Sequence, residues 1–196
     1  MLAPAKMYEE ALQKQYCTTV LDPYYSWAHG CYPDANIDVD ENFWEKIQLV
    51  SVHNDTVIGY FVAAWTRPGN YIDALSCMHF GNHKTTNIQF AMDLRNFLKY
   101  LAYDLKVPKI AWSVFKGNPV EEHYDRLIRK FGGRIMGTDR YSSKINGEWC
   151  DRKYYEWIND YYECFNCGHR VKKEAEVMCW KCGLGEMIYR NPFGAH

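Results

Sequence analysis

Near the C-terminal end of the chain, four cysteines have the type and spacing to hold a metal ion. Cys164-Phe165-Asn166-Cys167-Gly168 is answered by Cys179-Trp180-Lys181-Cys182-Gly183. Two thiolates three positions apart grip one ion from a tight turn, and a following Gly lets the backbone curl beneath the sulfurs. Two such turns supply the four soft ligands that tetrahedral zinc favours, with iron in a rubredoxin-like site as the rival metal. A redox dithiol would need only one pair. Four protein ligands leave no open position on the ion, so a zinc at Cys164, Cys167, Cys179 and Cys182 is expected to be structural. It would staple a segment too short to bury a core of its own.

The rest of the composition is that of an ordinary globular chain. At 196 residues there is room for one domain and a small appendage, and 16% aromatic residues can build a substantial core. The formal charge of −1 gives no long-range field toward a nucleic-acid backbone or an anionic membrane. No apolar run is long enough to span a bilayer. The opening Met1-Leu2-Ala3-Pro4-Ala5-Lys6 lacks the charged start and long apolar stretch of a secretion signal. Cys17, Cys31, Cys77 and Cys150 are scattered, which suits reduced thiols and a cytoplasmic location.

The elements that must position any chemistry follow from pattern and punctuation. A helix is expected over 4–15 with Met7 and Leu12 inward, then loops over 22–41. Two β-rich runs, 43–52 and 57–65, flank Asn54-Asp55 and form a hairpin, and a third strand covers 71–80 after Pro68-Gly69-Asn70. Over 87–105, Ile88, Ala91, Leu94, Leu98, Leu101 and Leu105 recur at gaps of three and four and define one helix face, ended by Pro108. A buried strand is expected over 109–115. A helix over 120–131 follows, with Leu127, Ile128 and Phe131 inward, and Gly132-Gly133 stops it. Strands near 134–138 and 153–158 surround a turn at 144–147. The fold class is thus α+β, a mixed and mostly antiparallel sheet flanked by helices.

This order resembles the GNAT superfamily of acyl-CoA-dependent N-acyltransferases. Three passages carry the resemblance: Asp55-Thr56-Val57-Ile58-Gly59-Tyr60-Phe61, Ala111-Trp112-Ser113-Val114 leading to Asn118, and Arg126-Leu127-Ile128-Arg129-Lys130-Phe131-Gly132-Gly133-Arg134. It extends over about residues 5–158, giving a GNAT-like domain over 1–158 and a separate module over 159–196. Within the superfamily the chain looks most like short, divergent members encoded by tailed bacteriophages, which would place it in host cytoplasm or virion. The terminal module resembles the zinc ribbons. Its basic residues Arg170, Lys172, Lys173, Lys181 and Arg190 are nearly balanced by Glu163, Glu174, Glu176 and Glu186, which gives little support to a nucleic-acid partner.

The resemblance implies a V-shaped opening between strands 71–80 and 109–115 that takes the pantetheine arm of acetyl-CoA, with pyrophosphate on the N-terminus of the central helix. Free N–H groups and the helix dipole make that an anion site in physical terms. Here the loop Asn82-His83-Lys84-Thr85-Thr86-Asn87 lacks the family's paired glycines and is either a phosphate site or a polar helix cap. Asn118 matches the family's Asn after the strand. The family's acidic Tyr aligns with Ile128, which moves no proton, so Tyr124 one turn earlier is the candidate acid, with helix packing as its other role. For the base, strand alternation puts Asp73, Cys77 and His79 on one side; His79 titrates in the useful range, and it is equally a residue type held structurally in strands.

Two accounts follow. In one the chain moves an acetyl group from acetyl-CoA to an amine on a protein, a small molecule or a nucleobase, and the opening is a groove ending on Thr85 and Thr86. In the other it is an inactive GNAT-fold protein that docks through its ribbon, with the groove filled by Trp112 or Phe90. A third account, nucleic-acid binding, requires Arg170, Lys172, Lys173 and Lys181 on one exposed face.

Overall fold

The structure is a computed structural model that describes residues 1–29, 36–40, 44–66, 71–81, 87–159, 161–164, 166–167, 170–171, 181–182 and 187–190. Seven strands form one sheet: β1 (Leu2–Pro4), β2 (Lys46–His53), β3 (Thr56–Thr66), β4 (Tyr71–His79), β5 (Lys109–Phe115), β6 (Arg134–Ile145) and β7 (Glu148–Ile158). Their order is β1-β2-β3-β4-β5-β7-β6, and every neighbouring pair is antiparallel except β4 and β5. The helices are α1 (Glu9–Val20), α2 (Ser26–His29), α3 (Ile88–Lys99) and α4 (Glu121–Phe131). This is the expected α+β architecture with a mostly antiparallel sheet.

Two hairpin turns among the described residues fall where their residues demand, and the turn expected at Pro68-Gly69-Asn70 lies outside them. Asn54 and Asp55 have φ of 47° and 58°, and Asn146 and Gly147 have φ of 52° and 87°. Left-handed conformation at both central residues is what a two-residue turn needs to match the twist of its strands. Helix α4 ends as expected on Gly132 in the left-handed region at φ 72°, with Ile128 and Phe131 buried.

One layer of core lies between the sheet and α3 and α4. Phe61, Ile72, Phe97, Leu98, Leu101, Ile110, Tyr155 and Trp157 fill it. The other lies against α1, where Leu12 packs with Val50, Val52, Tyr60 and Phe80. The chain passes from α3 to β5 through a π turn over Tyr100–Asp104, whose carbonyls need a partner. Buried Asn159 supplies one, donating from Nδ2 to the Ala102 and Val107 oxygens at 2.7 and 3.1 Å.

Four sequence expectations need correction. The first helix starts as a 3-10 turn over Ala5–Tyr8 once Leu2–Pro4 has paired with Leu49–Ser51 as an edge strand, continues as α1 to Val20, and leaves Met7 74% exposed while Leu12 is buried. The α3 face is rotated in its first turns: Leu94, Leu98, Leu101 and Leu105 face the core as expected, but Ile88 is 72% exposed and Ala91 is exposed, while Phe97 and Ala102 are buried and Phe90 packs against the core. Large aromatic area, and not Ile88, decides which stripe turns inward. Strands β6 and β7 are about twice their expected lengths, extending along the whole hairpin to its turn. Finally, β4 carries a bulge: Ala64 pairs Ala74 and Trp65 pairs Ile72, leaving Asp73 unpaired. A bulge breaks the two-residue alternation, so Asp73 is out of phase with Cys77 and His79.

The terminal segment contributes a second small sheet, β8 (Tyr161–Cys164), β9 (Arg170–Val171) and β10 (Met187–Arg190), in the order β10-β8-β9 with both pairings antiparallel. Cys164 closes β8 opposite Met187, and Cys167 and Cys182 lie in turns. Cys179 lies outside the described residues, as do Lys172 and Lys173, and among the described residues no group of three or more His, Cys, Asp or Glu could hold a metal. Among the described residues no helix is long and apolar enough to cross a membrane.

Candidate active site

The site arises where β4 and β5 part. They are paired through Ile72 and Ile110 alone, while β5 stays paired to β7 along its whole length, from Lys109↔Ile158 to Phe115↔Arg152. The bulge at Asp73 sits immediately after Ile72, and the extra residue bends β4 away from β5. A wedge opens beyond that pair, and past Ile72 no residue of β4 is paired with β5. A cavity of ≈ 540 Å³ runs through the wedge, bounded by Asp73 to Met78 of β4, Trp112 to Phe115 of β5, and Tyr124 of α4. Trp112 forms part of its wall and does not fill it.

A smaller cavity of ≈ 160 Å³ adjoins the first, and the two share Trp27, Cys77, Met78, Asn118, Val120 and Tyr124. His79 and Phe90 line the smaller one. Phe90 reaches this place because Gly59 has no side chain: a Cβ there would lie 2.3 Å from the Phe90 ring. The ring stacks on Phe61 at 4.9 Å and lies 5.1 Å from the His79 ring.

Tyr124 stands at the junction. Its hydroxyl lies 2.8 Å from Cys77 Sγ, and its ring meets Trp112 and Tyr155 edge-on at 6.2 Å each. Helix α4 is fastened to β7 beneath it: Lys153 donates to Glu121 and Asp125 at 3.0 and 2.8 Å, and the Tyr155 hydroxyl donates to Asp125 at 2.7 Å. Burial, followed by the Cys77 sulfur beside it, holds the Tyr124 phenol well above its usual range, so it keeps its proton. Burial also pushes the Cys77 thiol up to about 11, against the lowering effect of its bond to Tyr124. As a thiol it is a poor nucleophile.

His79 ends β4. Its carbonyl accepts from the Tyr25 hydroxyl at 2.7 Å, fixing the end of the strand, and its Nε2 is buried without a partner among the described residues. Burial lowers its pKa, so the imidazole is neutral near pH 7 and has a lone pair available.

Of the predicted site residues, Tyr124, His79 and Asn118 converge on the two joined cavities. Asn118 shapes the turn into α4, its Oδ1 accepting from the Val120 amide at 3.0 Å. Asp73 lines the larger cavity only and is exposed at the bulge, away from His79. Asn87 caps α3, its Oδ1 accepting from the Phe90 amide at 3.0 Å, which satisfies one free N–H at that end. Asn82, His83, Lys84, Thr85 and Thr86 lie outside the described residues. Trp112 and Phe90 were missed as site residues because an aromatic in an apolar run reads as core.

Comparison with models of known protein families finds no match, and comparison with curated proteins finds none either. Solved structures do match in fold. Ribosomal-protein-alanine N-acetyltransferase from Brucella melitensis superposes with a TM-score of 0.58 at 18% identity over 81% of this chain and 99% of that one. An N-acetyltransferase from Staphylococcus aureus Mu50 gives 0.59 at 18% over 81% and 98%. Spermidine N-acetyltransferase from Vibrio cholerae, solved with CoA and spermine, gives 0.61 at 16% over 81% and 95%. The chain therefore has the fold of the GNAT N-acetyltransferases.

Proposed function

We propose that the chain is an acetyl-CoA-dependent N-acetyltransferase acting on an amine. The observation that carries this reading is the wedge between β4 and β5, with a proton-holding Tyr124 on one wall and a neutral His79 beside it. The unpaired edge of β4 offers amide groups to an extended arm, much as an added strand would be held. The Vibrio cholerae relative was solved with CoA and spermine, which supports an acyl-CoA donor and an amine acceptor here.

Transfer is direct. The amine nitrogen attacks the thioester carbon, the C–N bond forms and the C–S bond breaks. His79 Nε2 takes the proton the amine sheds, and the Tyr124 hydroxyl protonates the departing thiolate. A sulfur, that of Cys77, already lies within hydrogen-bond reach of that hydroxyl, so the surroundings of Tyr124 accommodate sulfur. Asp73, out of phase with His79 at the bulge beside Ile72, lines the larger cavity and takes no proton from the reaction. Asn82, His83, Lys84, Thr85, Thr86 and Asn87 are assigned to the acetyl-CoA phosphates on the sequence resemblance, and Asn118 shapes the turn into α4. On the sequence resemblance and the scattered thiols we assign the chain to the cytoplasm and to the short phage-encoded members of the superfamily.

The test is calorimetric titration with acetyl-CoA, repeated with Thr85 and Thr86 both changed to Glu. Micromolar binding that the paired change abolishes is the expected result. A heat-silent titration at millimolar cofactor would end the acetyltransferase reading.

The terminal module is a zinc ribbon. Cys164 and Cys167 bracket the turn after β8, Cys182 lies in a second turn before β10, and β8 to β10 form the small sheet that such turns cap. Purified protein is expected to carry one zinc per chain. Cys179→Ser should release it and loosen 160–190 while the melting of the preceding domain is unchanged; zinc-free protein with that segment intact would exclude the metal.

A further inference from the structure

We propose that the indole N–H of Trp112 is the hydrogen-bond donor that holds the carbonyl oxygen of the bound acyl group, an assignment that rests on the acyltransferase reading above. Trp112 is 4% exposed, lines the larger cavity, and its Nε1 has no partner among the described residues. Burying an N–H without an acceptor is unfavourable, and native structures seldom leave such a group unpaired without a ligand or water to meet it.

The ring is not free to turn toward another partner. It stacks on Tyr155 at 5.5 Å with an interplanar angle of 17°, and Tyr124 closes on it edge-on. Strand β5 fixes its backbone, pairing Trp112 with Tyr155 across to β7. The donor is therefore preorganised, which is what stabilising a developing charge requires.

Chemistry and position narrow the partner. An indole N–H donates only, so the ligand atom must be an acceptor. The attacking amine uses its lone pair on carbon and has none to spare. Trp112 lies two residues past Ile110, the last residue of β5 paired with β4, and so at the narrow end of the wedge. The end of β4 and the N-terminus of α3 lie at the wide end. An arm anchored there by its phosphates extends inward and places its terminal acyl group, not its amides, nearest Trp112. The same geometry sets the acyl oxygen close to Tyr124, so one aromatic cluster polarises the carbonyl and supplies the proton for the sulfur.

The experiment compares acetyl-CoA with CoA, which lacks the acyl carbonyl. In calorimetry with the full chain, Trp112→Phe keeps the ring and removes only the donor. It should weaken acetyl-CoA binding about ten-fold and leave CoA binding unchanged. Equal losses for both ligands, or no loss for either, overturn the assignment while leaving the acyltransferase reading standing. Wild-type protein that binds neither ligand overturns both. Should the variant fail to fold, the wild-type indole proton spectrum decides. The Trp112 signal, assigned by its contacts with the Tyr124 and Tyr155 rings, must move further downfield with acetyl-CoA than with CoA. Identical positions with the two ligands refute the bond.

Discussion

Replacing Tyr124 with Phe is expected to lower kcat for acetyl transfer by roughly 10²- to 10³-fold and to leave acetyl-CoA affinity nearly unchanged. The variant keeps the ring that packs against Trp112 and Tyr155 and loses only the hydroxyl beside Cys77. Without that proton the thiolate must leave as a bare anion beside the buried Trp112 ring, where charge is costly. The readout is release of CoA thiol with the best amine from a panel of spermine, a lysine peptide and simple alkylamines. Its pH dependence separates the two titrating partners. His79 has a lowered pKa and must be neutral to accept a proton, so the rate falls as pH drops through a value below the ordinary imidazole range near 6.5. Tyr124 is raised, so the wild-type rate holds through the ordinary phenol range near 10. The acid limb should persist in Tyr124→Phe, because His79 is untouched. A variant whose loss appears instead as weaker acetyl-CoA binding, with kcat intact, would make Tyr124 a packing residue.

How much of this was legible before any coordinates depends on the kind of signal each residue carries. The turns at Asn54-Asp55 and Asn146-Gly147 and the stop at Gly132 were legible, because positive φ restricts residue choice strongly. Tyr124 came from the resemblance, one turn before Ile128 where the family's Tyr would fall, and it lines both cavities. The bulge was not legible. One unpaired residue at Asp73 leaves no mark in an alternating pattern, and it moved Asp73 out of phase with Cys77 and His79. The role of Gly59 was half legible: the glycine stood out in an apolar strand, but the Phe90 ring that occupies its missing Cβ is thirty-one positions away in the chain. Trp112 was legible only as core, since an orphaned N–H is a property of surroundings and not of sequence. Edge strand β1 escaped because three residues are too few for a period to show.

The rotated face of α3 gives the sharpest stability prediction. Phe97→Ala should cost about 3–5 kcal/mol, since the ring is 0% exposed and lies against Phe61 with centroids 5.5 Å apart. For a chain of this size that corresponds to a fall in melting temperature on the order of 10 °C. Ile88→Ala, at a position the apolar spacing places on the inner face, should change stability by less than about 0.5 kcal/mol, because the side chain is 72% exposed. Urea denaturation of the two variants beside the wild type reads both numbers. The contrast matters beyond the core, because the rotation that buries Phe97 also brings Phe90 over Gly59 and against His79. A larger loss at position 88 than at position 97 would mean a helix turned toward the face drawn from spacing alone. Phe90 would then leave the wall of the smaller cavity, and His79 would lose the burial that keeps it neutral.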